Sequence, residues 1–570
     1  MKHPHHLKRA LVALLSVLTL SSASPASAEP WKFGVMGDTQ WTAADPRGAN
    51  PSTVPVSIID QVNQEFIRQG VKFVIAVGDL SDDGRDVSER TRAMAAQPLI
   101  DAGIGFFPFR GNHETSAMSS GYGSSGFRSN YPQTRTGTFT TTDGRQFRIG
   151  SNFSSPTGVS TELDGMSYSF DYGKGNSNAR FVIIDPWAVA TKAIKNPAGY
   201  TDGYTIHDQQ EWISGRLNRS GRRSGGHAFV FSHQPLIAEG HQDTMFSGYA
   251  NAHPDWQNEF FASMHSNGAR YFICGHDHIH QRSIISSPDG KSRVEEIISA
   301  SVSSKFYAPK PIGDPLWFGQ KRRETSVSQE MDTVGFSIYT IDGPCVTVDY
   351  YSDDHGRWQS DGAFPEGSGL AGTGITPTFN FIKKESWGYC LNGKEFIVPQ
   401  GGSYAGIRDR FRRSAARILD GTNNSVARDG TPGTAGAIGR RLSKAVETGW
   451  RAKSLTYGGG SALSSDILLL SGMTDPGKEQ ADLFTLSMTY DPAGINPEKL
   501  RNGRFGLATK GADGSWINAV KRYARGDARF VAGTWKKGYP LGTYGVDALH
   551  RCVWAVIDFN GAFAAASFDK

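Results

Sequence analysis

The chain has 570 residues, 38% of them hydrophobic and 20% charged, with 67 glycines and 11% aromatics. Single cores rarely grow past roughly 250–300 residues, so more than one domain is expected, and this composition favours loops and strands over long helices. The formal charge is +5, but Lys2, Lys8 and Arg9 supply three of those positives within the first 28 residues; the remainder is close to neutral and gives no electrostatic reason for specific or non-specific nucleic-acid binding.

Taken in order, the chain opens with MKHPHHLKR, then the apolar ALVALLSVLTL, then SSASPASA ending at Ala28. A basic start, a short apolar run and an A-x-A ending predict a signal peptide over 1–28, cleaved after Ala28, and so a secreted or periplasmic protein. The run is too short to span a bilayer, and no later stretch reaches ~18 apolar residues, so no transmembrane segment is expected.

Residues 29–355 alternate strand-like and helical patterns. KFGVMGD, KFVIAVGD, GIGFFPFRGN, RFVIID, HAFVFSH and RYFICGH each climb through apolar residues and end on a polar group. Between the first two, Ile58, Ile59, Val62 and Phe66 form one helical stripe with Gly70 as its stop, and a second helix is expected at IHDQQEWISGRLNR. This alternation predicts an α/β sheet with parallel members, whose sites lie at strand C-termini. GFSIYTIDGPCVTVDYYS reads as a closing hairpin, with its turn signal at Asp342–Gly343.

Residues 356–384 lack periodicity and read as a linker. From 385 to 570, short strands punctuated by DG, NG and GG predict a smaller β-rich accessory domain of unknown role, with one helix at YAGIRDRFRRSAARIL. Trp450, Trp516, Trp535 and Trp554 leave carbohydrate or cell-surface contact open there, beside ordinary core packing. Of four cysteines, Cys274 reads as a buried thiol; four allow three complete pairings that the sequence does not separate, with Cys390 and Cys552 one open pair among them.

The chemistry lies in GDTQ at Asp38–Gln40, GDLSDDG at Asp79, GNHE at Asn112–His113, FSHQP at His233 and GHDH at His276–His278. Each places nitrogen or oxygen ligands directly behind an apolar run. Phosphate-ester hydrolysis needs a nucleophile and neutralised phosphoryl oxygens, and two metals ~3.5–4 Å apart supply both. Asp38, Gln40, Asp79, Asn112, His233, His276 and His278 are the expected ligands. For the substrate pocket, Arg85, Arg110 and Arg128 are candidates to grip phosphate, and Tyr122, Phe127, Tyr131, Phe153, Trp187 and Tyr204 to form its wall. His241 and His253 are candidates for the mouth.

Together these motifs resemble the calcineurin-like metallophosphoesterase superfamily, with its D-x-H, GD-x-x-D-x-G, GNH-[DE], H and GH-x-H pattern. The resemblance implies a four-layer αββα sandwich and a dinuclear centre. One metal would take Asp38, Gln40, Asp79 and His278; the other would share Asp79 and add Asn112, His233 and His276. His113 matches the histidine that protonates the leaving alkoxide or stabilises phosphoryl oxygens, with Asp82 orienting it. Gln40 departs from the commoner histidine. An amide oxygen is a harder donor, so Mn²⁺ is favoured, with Fe, Zn²⁺, Mg²⁺ and Ca²⁺ left open. Asp82 also stands where purple acid phosphatases carry a ligand tyrosine. The implied function is a phosphoesterase acting on a small phosphate ester, monoester or diester; the alternative is a non-catalytic binding scaffold of the same fold.

Overall fold

The structure is a computed structural model. It describes residues 29–40, 54–115, 124–187, 205–218, 226–241, 243–246, 253–307, 323–330, 333–353 and 378–391. Further on it describes 395–397, 416–420, 448–451, 463–465, 467–470, 483–490, 492, 495–522, 528–549 and 551–568. The expected signal peptide, Tyr122, Tyr204 and residues 356–377 of the expected linker lie outside these. No described helix is long and apolar enough to cross a membrane.

Two sheets face one another. The first runs in the order Glu395–Ile397, Phe381–Cys390, Cys345–Asp353, Gly335–Asp342, Trp31–Met36, Phe73–Ala76, Gly105–Pro108. The second runs Glu324–Glu330, His280–Ser286, Arg293–Ile298, Tyr271–Cys274, His227–Phe231, Ala179–Ile183, Tyr168–Tyr172, Ser151–Ser154. Aromatic rings fill the space between. Phe33 stacks on Tyr339 at 4.6 Å and meets Phe181 and Phe229 of the opposite sheet edge-on at 5.0 and 5.2 Å. Each such pair adds roughly 0.5–1.5 kcal/mol beyond its area burial.

Helices cover the outer faces. Val56–Gln69 buries the stripe Ile58, Ile59, Val62 and Phe66 and stops at Gly70 with φ 67°. Gly34 makes room for it, since a Cβ there would lie 2.4 Å from the Phe66 ring. On the second sheet, Phe229 and Phe231 join the inter-sheet core. Their neighbours Ala228 and Val230 instead pack with Ile213 and Leu217 of the helix Gln210–Leu217 and Phe260 and Met264 of Pro254–Ser266. A strand buried on both faces must be apolar at every position, which is why HAFVF does not alternate. The result is the αββα sandwich.

The closing hairpin forms with Asp342 opposite Cys345. Beyond it the expected boundaries change. Phe381–Cys390 starts inside the stretch read as a linker and pairs with Cys345–Asp353, and Glu395–Ile397 pairs with it in turn. These strands complete the first sheet rather than opening the accessory domain. Trp387 and Tyr389 explain it: both are buried, and the Tyr389 hydroxyl lies 3.2 Å from His227 Nδ1 of the second sheet.

The Cys390–Cys552 pairing left open by the sequence does not form. Cys345 is disulfide-bonded and stands opposite Cys390, whereas Cys552 keeps its thiol. Cys274 is a buried thiol.

The C-terminal region forms two five-stranded sheets around Phe484, Leu486, Phe505, Val553, Ile557 and Phe563. The expected helix falls partly outside the described residues, and its end, from Ala416, is a strand pairing with Phe484–Thr489. Trp516 and Trp554 are core residues; the Trp554 indole donates to the Gly533 carbonyl at 2.9 Å and stacks on Tyr539. Trp535 is half-buried, and the Trp450 side chain lies outside the described residues.

Candidate metal centre

Trp31–Met36, Phe73–Ala76 and Gly105–Pro108 run parallel, as do His227–Phe231 and Tyr271–Cys274. Every sequence-predicted ligand follows the C-terminal end of one of these five strands, so all of them reach one end of the sandwich. The loops that present them are tightly built. Asp38, Asp79, His276 and His278 hold positive φ angles of 46°, 47°, 77° and 54°, in a region that L-residues seldom occupy. The glycines before them have no room for a side chain. A Cβ on Gly111 would fall 2.0 Å from Asp79 Oδ1, one on Gly78 2.6 Å from His233 Nδ1, and one on Gly275 2.8 Å from Asp38 Oδ2.

Two clusters result, and they share a carboxylate. Ligand atoms of Asp79, His233 and His276 lie within 4.8 Å of one another, as do those of Asp38, Asp79 and His278. All are buried. The Asn112 amide oxygen sits 3.1 Å from His233 Nε2, 3.0 Å from His276 Nδ1 and 3.3 Å from both Asp79 oxygens. Five acceptor-type atoms gathered this closely make sense when a cation lies among them. Gln40 Oε1 and Asp38 Oδ2 are buried without hydrogen-bond partners, the state of donors awaiting a metal. The residues present therefore fit two divalent ions.

The sequence model of the calcineurin-like phosphoesterases matches residues 32–280. Over those residues the chain is similar to that family. Among solved structures, the chain is similar to a dimetal phosphatase from Danio rerio at 13% identity, covering 56% of this chain and 96% of that one, with TM-score 0.33. It is similar to a purple acid phosphatase from yellow lupin seeds at 14% identity, covering 63% and 58%, with TM-score 0.34. It is also similar to GAP50, the anchor in the inner membrane complex of Plasmodium, at 14% identity, covering 57% and 84%, with TM-score 0.34. Comparison with curated protein sequences found no match.

The second nitrogen of each ligand histidine is held from outside the centre. His233 Nδ1 donates to the Val77 carbonyl and His278 Nδ1 to the Lys305 carbonyl, each at 2.7 Å, which turns both Nε2 atoms inward. His276 is reversed: its Nε2 lies 3.0 Å from Asp243 and its Nδ1 faces Asn112. Such contacts fix tautomer and ring orientation. Glu114, the last residue of GNHE, accepts from the backbone N–H groups of Leu80, Ser81 and Gly111 and so ties the second and third ligand loops together.

Burial, with Asp79 alongside, pushes the Asp38 carboxyl up to about 8 against the pull of His233. Burial would also raise Asp79, but His233 and His113 outweigh it and hold that carboxyl well below its ordinary value. Burial would lower His233, yet Asp79 and Asp38 bring it to about 10.

His113 stands at the rim, its side chain 24% exposed and its Nε2 3.9 Å from Asp79 Oδ2. Its Nδ1 donates to the backbone carbonyl of Asp82, while the Asp82 carboxylate is 3.7 Å away and 3.4 Å from Lys305 Nζ. Asp82 thus orients His113 through its main chain. His241 lies against His276, with ring centroids 4.0 Å apart, and its Nδ1 is 2.8 Å from Asp277 Oδ1.

Other expected pocket residues turn elsewhere. Arg110 is buried against Asp185 at 2.7 Å, Arg128 bonds the Glu162 carbonyl, and exposed Arg85 lies 3.6 Å from Asp83. Phe127, Tyr131 and Phe153 pack into or against the core, and His253 stacks on Trp256 at 3.9 Å. Trp187 does approach, its ring 6.0 Å from that of His233. Sequence reasoning missed Asp243, Lys305 and Tyr307. Asp243 gave a weak signal as an acid shortly after a ligand histidine; the other two gave none.

Proposed function

We propose that the protein is an exported phosphoesterase that hydrolyses small phosphate esters at a dinuclear metal centre. The observation that carries the reading is the sharing of Asp79 between two buried ligand clusters, with His113 beside them at the rim. Two divalent cations held there would neutralise phosphoryl charge and acidify a water for attack. The chain's own part is to fix the ligands, seat the ester against His113 and protonate the departing alkoxide from His113 Nε2. Export is supported by the N-terminal pattern and by the disulfide at Cys345, a bond suited to an oxidising compartment.

The test compares kcat/KM for one aryl phosphate monoester and its diester, using the mature chain loaded with Mn²⁺. Metal-dependent turnover of either supports the reading. Loss of neither ester in the presence of bound metal would overturn it in favour of a binding scaffold.

Gln40 carries a second expectation. Replacing its amide by imidazole in Gln40→His should raise zinc affinity of that half-site roughly 10–100-fold and reduce the activation given by added Mn²⁺. Competitive metal loading followed by elemental analysis reads this directly. Tight zinc in both half-sites of the wild type, unchanged by the substitution, would contradict it.

A further inference from the structure

Lys305 and Tyr307 follow the strand Arg293–Ile298 in a loop that passes the metal centre. The Lys305 carbonyl accepts from His278 Nδ1, so its backbone is part of the support for a ligand. Its side chain, 21% exposed, reaches the rim, with Nζ 3.4 Å from Asp82 Oδ1 and 5.7 Å from the centre of the Tyr307 ring. The Tyr307 ring meets His278 edge-on at 5.0 Å and His241 edge-on at 4.5 Å. Because His241 lies against His276, Tyr307 touches a ligand of one cluster and is separated from a ligand of the other by a single ring.

We propose that Lys305 and Tyr307 grip the non-bridging oxygens of a phosphomonoester dianion and bias the site toward monoesters over diesters. The proposal rests on the phosphoesterase reading above and names its substrate class. A monoester dianion offers a charged terminal oxygen where a diester carries a second organic group. An ammonium and a phenol hydroxyl at that position reward the former and desolvate to no purpose against the latter. Of the three arginines that might have done this, Arg110 is buried against Asp185 and Arg128 lies against Glu162, whereas the Lys305 ammonium pairs with Asp82, whose carboxylate also lies 3.7 Å from His113 Nδ1.

Because the His278 contact comes from the Lys305 main chain, the side chain can be changed without removing it. The experiment uses the Mn²⁺-loaded full mature chain as wild type, Lys305→Met, Lys305→Arg and Tyr307→Phe. Hydrogen bonds to charged groups are worth roughly 1.5–3 kcal/mol, or 10–100-fold. Lys305→Met should lower the monoester-to-diester ratio of kcat/KM by at least about tenfold and weaken orthophosphate inhibition similarly, with metal content unaltered. Tyr307→Phe should move both readouts the same way by less, and Lys305→Arg should retain most of the phosphate affinity. An unchanged ratio, or parallel loss on both esters together with loss of metal, would overturn the proposal and leave Lys305 a structural residue. Should wild type turn over neither ester, the catalytic reading fails by itself. Calorimetric titration with orthophosphate then decides this one, and equal affinity in wild type and Lys305→Met would reject it.

Discussion

Asp79→Asn should lose both metal ions and lower kcat/KM by at least about 10³-fold, since two-metal charge stabilisation is worth several kcal/mol. The carboxylate belongs to both ligand clusters, so its removal is not a local loss. Asparagine suits the test because it tolerates the left-handed backbone held here at φ 47° and keeps one oxygen to accept the His113 N–H at 3.1 Å. The variant should therefore fold. What it should lack is the rise in melting temperature that Mn²⁺ gives wild type by binding only the native state. Asp38→Asn is the contrast, because Asp38 enters one cluster only; it should retain a single ion. Elemental analysis of the two variants reads zero against one, and one ion in Asp79→Asn would mean that the carboxylate is not shared.

That contrast shows what a local sequence pattern carries and what it does not. The ligands were legible because each follows an apolar strand and most follow a glycine whose missing Cβ lets the turn close. Parallel strands then deliver such turns to one end of the sheet. The end of the domain was not legible in the same way. FIKKESWGYC lies beyond a Gly- and Pro-rich segment, and nothing local says that it pairs back onto Cys345–Asp353 or that Tyr389 reaches His227. The strands His280–Ser286 and Glu324–Glu330 were hidden for another reason. They pair through polar residues, with Gln281 and Ser283 bonding Glu324, so no apolar period marks them. Lys305 and Tyr307 belong to the same class. Their place is set by a main-chain contact to His278 and by the rings around it, and only the folded chain assembles those.

His113→Ala should reduce kcat by roughly 10²–10⁴-fold, the usual worth of a positioned general acid, while leaving both ions bound. The separation from Asp79→Asn follows from position: His113 lies in neither cluster, its ring is at the rim, and its Nε2 is 3.9 Å from the nearest Asp79 oxygen. If the imidazole protonates the leaving group, the loss must depend on that group. An alkyl phosphate, whose alkoxide needs a proton to depart, should suffer far more than a nitrophenyl phosphate, whose phenolate leaves without one. Equal losses on the two would instead assign His113 to stabilising phosphoryl oxygens. Asp82 sharpens the argument, because its carbonyl rather than its carboxylate holds His113 Nδ1. Asp82→Asn keeps that carbonyl and should cost less than about tenfold, well short of His113→Ala. A loss as large as that of His113→Ala would mean that the carboxylate, 3.7 Å from the ring, swings in to pair with the imidazolium once substrate is bound.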